Sequence, residues 1–404
     1  MRILILAHNL RAAGGLSVGR NIVSALSRVG TRHSYLFVLP AGVGYEEIEK
    51  PPRSSSLYFR RKLGAAGQLL LEMGGLPRLL RSYRPDMVWG LGNFGLVKPG
   101  GARQAVLFHK TQFVYERRHQ VGEVWRRRLL NSIARWRLQN ALPATQLVFC
   151  QTHTVAQRFT RSFRYKGRIA LLPNAVSTVI GNAVDRPAVF DRLTGKFVML
   201  CVTRYYPHKN LEILVDLFRR HSLRLRDVAV IVTVHPDQHP RAPRFLASLK
   251  EPLVRDHVIN IGPVDQSLLA AYYTHSDALI MPTLLESFSG SYLEAMQLRR
   301  PILTSDLDFA HDVCGAAAAY FNPTDTHSIC KTILRVKGSS ELRMVLATQG
   351  SERLGRLSRD WDSIVRDALR EIEQLSDLSP AEPAEPTTRL PVGDHSICGY
   401  LAEP

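Results

Sequence analysis

Short apolar runs alternate with longer amphipathic stretches along most of the chain. In the first half the runs are RILILAH, YLFVLP, DMVWGL, QAVLFHK and QLVFCQT; in the second they are FVMLCVTR, VAVIVTVH, VINIGP, ALIMPT and PILTSD. A continuous apolar run suits a strand buried on both faces, and the helical stretches between such runs supply the cover. The pattern therefore predicts an α/β protein with parallel sheets. Its two series predict two Rossmann-like, doubly wound domains facing each other across a cleft. The break falls at LLPNAVS, Leu171 to Ser177, where Pro173 and Asn174 interrupt the pattern. Residues 1–175 are read as the first domain and 176–350 as the second. From Ser339 to Leu375 the pattern is helical, with breaks expected at the glycines. Trp361, Ile364, Val365, Ala368, Leu369 and Ile372 share one helical face, and 351–375 is read as a terminal helical segment. The Pro-, Ala- and Glu-rich stretch from Ser376 predicts a disordered tail over 376–404.

In open α/β sheets, ligands bind beyond the carboxyl ends of the strands. The residues predicted at those ends include Asn9, Gly14, Gly15, His109, Arg204, His235, Glu286, Ser305 and Asp306. In CVTRYYPHKN, Arg204 follows a strand and Lys209 lies where a helix is expected to begin. Two cations there could clamp a diphosphate whose charge grows as it leaves, or belong to a solvated loop. The stretch ESFSGSYLE, Glu286 to Glu294, sets acids on both sides of a Ser/Gly-rich turn that can offer backbone N–H groups to an anion. Glu294 is expected in the first helical turn. There it either accepts from ribose hydroxyls or completes a Ser291-x-x-Glu294 capping box, and the local sequence leaves both readings open. Glu286 has no comparable structural duty. AGGLSVGRN is neither a G-x-G-x-x-G fingerprint nor a P-loop, but Gly14 and Gly15 allow close approach of backbone to a ligand. His109, at the end of QAVLFHK, suits contact with a transferred group, movement of a proton, or a structural role. Asp306 to Asp308 form a D-x-D triplet. With Arg204 and Lys209 available to neutralise phosphate charge, no metal is expected.

Composition adds one feature. The chain is 45% hydrophobic and 22% charged, ordinary for a globular protein. Lys and Arg outnumber Asp and Glu by 53 to 35, a formal charge of +18. That excess suits an anionic partner: nucleic acid, an anionic membrane surface or phosphorylated substrates. An RNP-type aromatic motif and Arg-Gly repeats are missing, so nucleic acid is not the expected partner. Two segments, Tyr58–Leu80 and Glu116–Leu142, mix Arg with Leu or Trp, as an interfacial helix does; ordinary amphipathic packing is the competing reading. No apolar run approaches the roughly 20 residues of a membrane span, and MRILILAHN reads as a first strand. The five cysteines are scattered without a C-x-x-C pair, as in reduced cytosolic proteins.

Taken together, GGLSVGRNIVSALSRVG, LLPNAVS, VTRYYPHKN, PTLLESFSGSYLEAMQLRRPILTSD and FAHDVCGAAAAYFNPTD resemble the family-4 retaining glycosyltransferases, which have the two-domain GT-B fold. The likeness runs from Met1 to about Leu375 and is strongest from Phe197 to Asp325. It implies that Arg204 and Lys209 bind a donor diphosphate, that Glu286 lies against the donor sugar, and that Glu294 holds the ribose. Phe288 and Ser289 would line the sugar and phosphates, Gly14 and Gly15 would face the donor from the other domain, and His109 would stand near the reacting centre. It implies a nucleotide-diphosphate sugar as co-substrate with no metal or other cofactor, and last helices that brace the first domain. The family's usual Gly-Phe-Gly is Ser287-Phe288-Ser289 here, and His235 stands where Gly is common. The resulting expectation is transfer of a sugar to an acceptor hydroxyl of a lipid-linked glycan, in O-antigen, capsule or exopolysaccharide assembly. The protein is expected in the cytoplasm, on the inner face of the cell membrane. The rival readings are a non-catalytic binder of RNA or acidic lipid with the same fold, and a nucleotide-sugar epimerase.

Overall fold

The computed structural model describes residues 1–59, 71–115, 125–175, 185–357 and 359–377. Two parallel sheets organise it. The first holds β1 (Arg2–Leu6), β2 (Ser34–Pro40), β3 (Ser54–Phe59), β4 (Met87–Gly90), β5 (Arg103–Phe108), β6 (Leu147–Cys150) and β7 (Arg168–Leu171), in the order β3-β2-β1-β4-β5-β6-β7. The second holds β8 (Phe197–Cys201), β9 (Val228–Val232), β10 (Val258–Asn260), β11 (Ala278–Met281), β12 (Ile302–Ser305) and β13 (Ala318–Phe321), in the order β10-β9-β8-β11-β12-β13. Central strands such as β8 and β9 are buried along their whole length, as their unbroken apolar sequence requires.

The expected strands are present, but three more complete the sheets. Edge strands β3, SSSLYF, and β7, RIAL, are partly or fully exposed at every position. They are held by backbone pairing, from Tyr35↔Ser54 to Pro40↔Phe59 in the case of β3, and so carry no long apolar run. The third, β13, is AAYF, too alanine-rich to stand out.

The helices are α1 (Ala13–Val29), α2 (Leu76–Tyr83), α3 (Trp125–Ala141), α4 (His153–Phe163), α5 (Glu212–His221), α6 (Ala242–Ser248), α7 (Leu269–His275), α8 (Gly290–Gln297), α9 (Asp308–Cys314), α10 (Thr326–Gly338), α11 (Ser340–Leu357) and α12 (Trp361–Asp377). The glycines expected to break the last helical stretch do not. The α11 helix runs through Gly350 and Gly355, and a Cβ on Gly350 would meet Met296 at 3.4 Å, so that glycine lets two helices come close. The break comes next to Asp360, whose carboxylate accepts from Ser363 N–H at 2.6 Å. The apolar face of α12, with Ile364, Val365, Ala368, Leu369, Ile372 and Leu375, then joins the core under the first sheet. Arg28–Asp362 and Arg168–Glu371 pairs flank it. Ser376 and Asp377 are helical, which corrects the start of the expected tail; residues 378–404 lie outside the described residues, as do 60–70, 116–124 and 176–184.

One core cluster joins the domains, packing Phe108, Phe159 and Tyr115 of the first against Leu285, Phe309 and Ala310 of the second. In both sheets the strand order reverses at one place, between β1 and β4 and between β8 and β11. Loops leaving the carboxyl ends of those pairs diverge to opposite faces and leave a crevice between them.

Candidate active site

The second sheet's crevice is bordered by the loops after β8 and β11. Hydrogen bonds stitch them together: Leu284 N–H and the Thr283 hydroxyl both donate to the His208 carbonyl, at 2.8 and 3.2 Å. Lys209 closes a single 3-10 turn, Pro207–Lys209, and does not open an α-helix as expected; Asn210 ends the turn at φ 56°. The Asn210 side chain, donating to the carbonyls of Pro282 and Pro323 at 3.1 and 2.8 Å, holds that turn against the β11 loop. The consequence is an ion pair between residues 77 positions apart, the Lys209 ammonium on the Glu286 carboxylate. Their side chains are only 15% and 18% exposed. Burial works against the Glu286 charge, but the Lys209 charge and hydrogen bond, with His208, hold its carboxyl below the usual range. Arg204 is exposed and makes no side-chain ion pair among the described residues.

The turn after Glu286 leads into α8. Ser289 is its N-cap, but no side chain caps the helix. Its first N–H groups and the positive end of its dipole are therefore open to an anion. The ring of Phe288 is 7% exposed and packs into the core of the second domain, so it anchors the turn. Its carbonyl accepts from Asn174 at 3.3 Å, and Asn174 in turn accepts from Gln151 of the first domain at 2.7 Å. The crossover segment thus ties both domains to this turn.

Glu294 is the fifth residue of α8, beyond the first turn, and the Ser291 hydroxyl contacts the Val202 carbonyl at 3.5 Å. No capping box forms. One Glu294 oxygen instead accepts from the hydroxyl of fully buried Tyr273, at 2.8 Å. Burial raises the Glu294 carboxyl above its usual range, and the Tyr273 bond opposes that.

On the first domain, His109 sits at the end of β5 across from α1. Its backbone N–H and that of Lys110 donate to Asn93 Oδ1, at 2.6 and 2.8 Å. Asn93 is itself left-handed, at φ 58°, a conformation Asn tolerates and most residues do not. A Cβ on Gly15 would lie 3.2 Å from His109 Nε2 and 3.2 Å from Leu10, whereas one on Gly14 would meet nothing within 4 Å. Gly15 is thus the residue that allows the helix to approach the histidine. Burial, with Lys110, pushes the His109 pKa down to about 4, so the ring is neutral near pH 7.

The D-x-D triplet is occupied by structural work. Asp306 contacts His311 at 2.6 Å, while Asp308 accepts from Tyr115 at 2.9 Å and Arg158 at 2.7 Å of the first domain. Among the described residues no group of three or more metal-binding side chains occurs. His235 is exposed beside Asp237. An open cavity of about 280 Å³, lined by Asp277, Arg299, Arg300 and Arg343, lies at the opposite, amino edge of the second sheet. There Arg300 and Arg343 donate to backbone carbonyls.

Two facing Rossmann-like domains with an anion-ready crevice in the second define a GT-B protein. Residues 186–353 match the family described as glycosyl transferases group 1. The chain is 27% identical over 172 residues to the O-antigen chain mannosyltransferase RfbU of Salmonella typhimurium. That match covers 42% of this chain and 47% of RfbU, about half the relative's length. The fold is similar to that of sucrose-phosphate synthase from Thermosynechococcus elongatus, with TM-score 0.72 and 17% identity over 94% of this chain and all of the other. It is also similar to Anabaena Alr3699/HepE in complex with UDP-glucose, with TM-score 0.67 and 14% identity over 94% of this chain and all of the other.

Asn93, Asn174 and Tyr273 were not singled out as site residues from the sequence. The Gly92-Asn93 pair is the one available signal, since it marks a turn. Nothing in LLPNAVS or AAYYTH indicates that Asn174 reaches Phe288 or that Tyr273 reaches Glu294.

Proposed function

We propose that this protein transfers a hexose from a nucleotide-diphosphate sugar to an acceptor hydroxyl with retention of configuration. The observation that carries the proposal is the Lys209–Glu286 pair beside the uncapped start of α8. A donor diphosphate at that start would meet the helix dipole, Arg204 and Lys209, while Glu286 faces the sugar and Glu294 accepts from the ribose. The bond from the anomeric carbon to the phosphate oxygen breaks as the acceptor oxygen attacks from the same face. The acceptor proton passes to the departing phosphate oxygen, so neither a metal nor a protein base is needed. His109, neutral and flanked by Gly15, borders the reacting centre from the other domain, and closure of the cleft excludes water. The acceptor is a lipid-linked glycan of cell-surface polysaccharide assembly, met at the inner face of the membrane. The mannosyltransferase relative supports the first part of that reading, and the basic, Trp-bearing first domain supports the second.

A thermal-shift panel of UDP, GDP, ADP and dTDP, each with its sugars, tests the donor site. One base should raise the melting temperature of the wild type, and Lys209→Ala and Glu294→Ala should lose most of that shift. Equal shifts in all three proteins would reject the assignment, and donor conversion without any acceptor would favour an epimerase.

A further inference from the structure

The carboxyl end of α8 departs from the residue its backbone calls for. Past the cap residue Leu298, the N–H groups of Arg300 and Arg299 donate to the carbonyls of Ala295 and Met296, at 2.8 and 3.2 Å. These are the two bonds of a Schellman end. Such an end puts the residue after the cap in left-handed backbone, where glycine is the usual choice because a Cβ is strained there. Here that residue is Arg299, at φ 54°. Strain kept where glycine would relieve it asks for a reason in the side chain. Arg299 is exposed and lines the cavity at the amino edge of the second sheet, beside Arg300, Arg343 and Asp277. The other two guanidiniums are already fixed. Arg300 gives Nε to the Leu298 carbonyl and one Nη to that of Ser276, both at 3.1 Å. Arg343 gives one Nη to the carbonyls of Val336 and Lys337, at 2.9 and 2.6 Å, and lies 5.8 Å over the Phe197 ring. A guanidinium carries five N–H donors, so each has more than the backbone takes, and little freedom is lost when a ligand accepts the rest. One Asp277 oxygen accepts from the Val198 N–H at 2.7 Å. Three arginines against one aspartate leave the cavity a surplus of two positive charges.

We propose that this cavity binds a small phosphate monoester, with its phosphate held by Arg299, Arg300 and Arg343 and its organic part laid on Met344. The charge surplus matches a phosphate near its dianionic form at pH 7, and the planar forks of arginine suit its oxygens. Met344 lines the same cavity and is 63% exposed, so an attached carbon group has apolar surface to cover. This site is separate from the crevice that receives the donor in the reading above. Asp277 and Pro301 of its lining stand just before β11 and β12, whereas the crevice lies where β8 and β11 end. The α8 helix runs between the two, with its uncapped start at the crevice and Arg299 at the cavity. Filling one site therefore leaves the other open.

Titration calorimetry with inorganic phosphate and with glycerol 3-phosphate, at an ionic strength held constant with chloride, tests the assignment. The wild type should bind both, and the monoester more tightly. Arg299→Gly should weaken binding of both by about tenfold or more. Its melting temperature without ligand should stay at or above that of the wild type, because glycine relieves the left-handed position. Arg299→Asn, whose side chain also tolerates that backbone, should behave alike. Lys209→Ala, altered only in the donor crevice, should keep the arginine-dependent binding. Wild type that binds neither probe would overturn the proposal, as would Arg299→Gly binding as the wild type does. Binding kept by Arg299→Gly and lost by Lys209→Ala would place the anion in the donor crevice instead. Phosphate bound as tightly as the monoester would overturn the part assigned to Met344.

Discussion

The two sides of the cleft handle charge in different ways. On the second domain each of the two site acids has a partner at hand, Lys209 for Glu286 and Tyr273 for Glu294. On the first domain the segments following β1, β4 and β5, residues 7–12, 91–102 and 109–115, contain Arg11, Lys98 and Lys110 but no acid. Their histidines, His8 and His109, are both held neutral, with pKa values pushed down to about 4 chiefly by burial. A side that receives a dianionic diphosphate needs countercharge that is already positioned. Under the proposed function the first side would receive the hydroxyl-bearing acceptor, and Gly15 allows close approach to the neutral His109 ring there.

The sharpest way to break this contrast is to crowd the first side alone. Gly15→Ala should lower turnover on the order of a hundredfold by displacing His109, as a shift of about 1 Å can do. Gly14→Ala, with open space around it, should leave turnover near wild type. Steady-state rates for the pair decide the matter, and equal effects would mean that proximity to His109 is irrelevant.

A pH series probes the neutral histidines. Their folded pKa lies below the unfolded value of 6.5, so the unfolded chain binds more protons and stability falls as pH falls. Between pH 6.5 and about 5.5 the two histidines together should cost about 2 kcal/mol, read from urea midpoints. The double variant His8→Gln/His109→Gln should lose that slope, and an unchanged slope would place its origin elsewhere.

The smallest effect tests the second side. Tyr273→Phe removes one hydrogen bond to Glu294 and should raise the KM for donor about fivefold with little change in kcat, a loss of about 1 kcal/mol. A change in kcat with KM unaltered would argue that Tyr273 does not position a donor-binding group.

Much of the fold was legible because buried parallel strands must be continuously apolar, as in VAVIVTVH. Strands β3 and β7 escaped because an edge strand draws on backbone pairing and keeps a mixed sequence. The candidate site was legible to the extent that function places polar residues after strands: Arg204, Lys209, Glu286 and His109 could all be picked out. The roles of Phe288 and Glu294 were not, because a ring beside a turn may face either core or ligand, and a carboxylate three residues after a serine fits two geometries. In the structure the Phe288 ring packs into core, and the Glu294 carboxylate accepts from Tyr273, 21 residues away, in place of forming a capping box.

By itself, then, the order of residues determined two doubly wound halves, the basic character of the chain and the stations at which chemistry could occur. These follow from periodicity and strand ends, which are local properties. Only the tertiary structure decided that Lys209 meets Glu286, that Asp308 clamps the domains through Arg158 and Tyr115, and that Arg300 and Arg343 share one cavity. Ion pairs, interdomain contacts and cavities depend on which distant segments come together, and no local pattern encodes that.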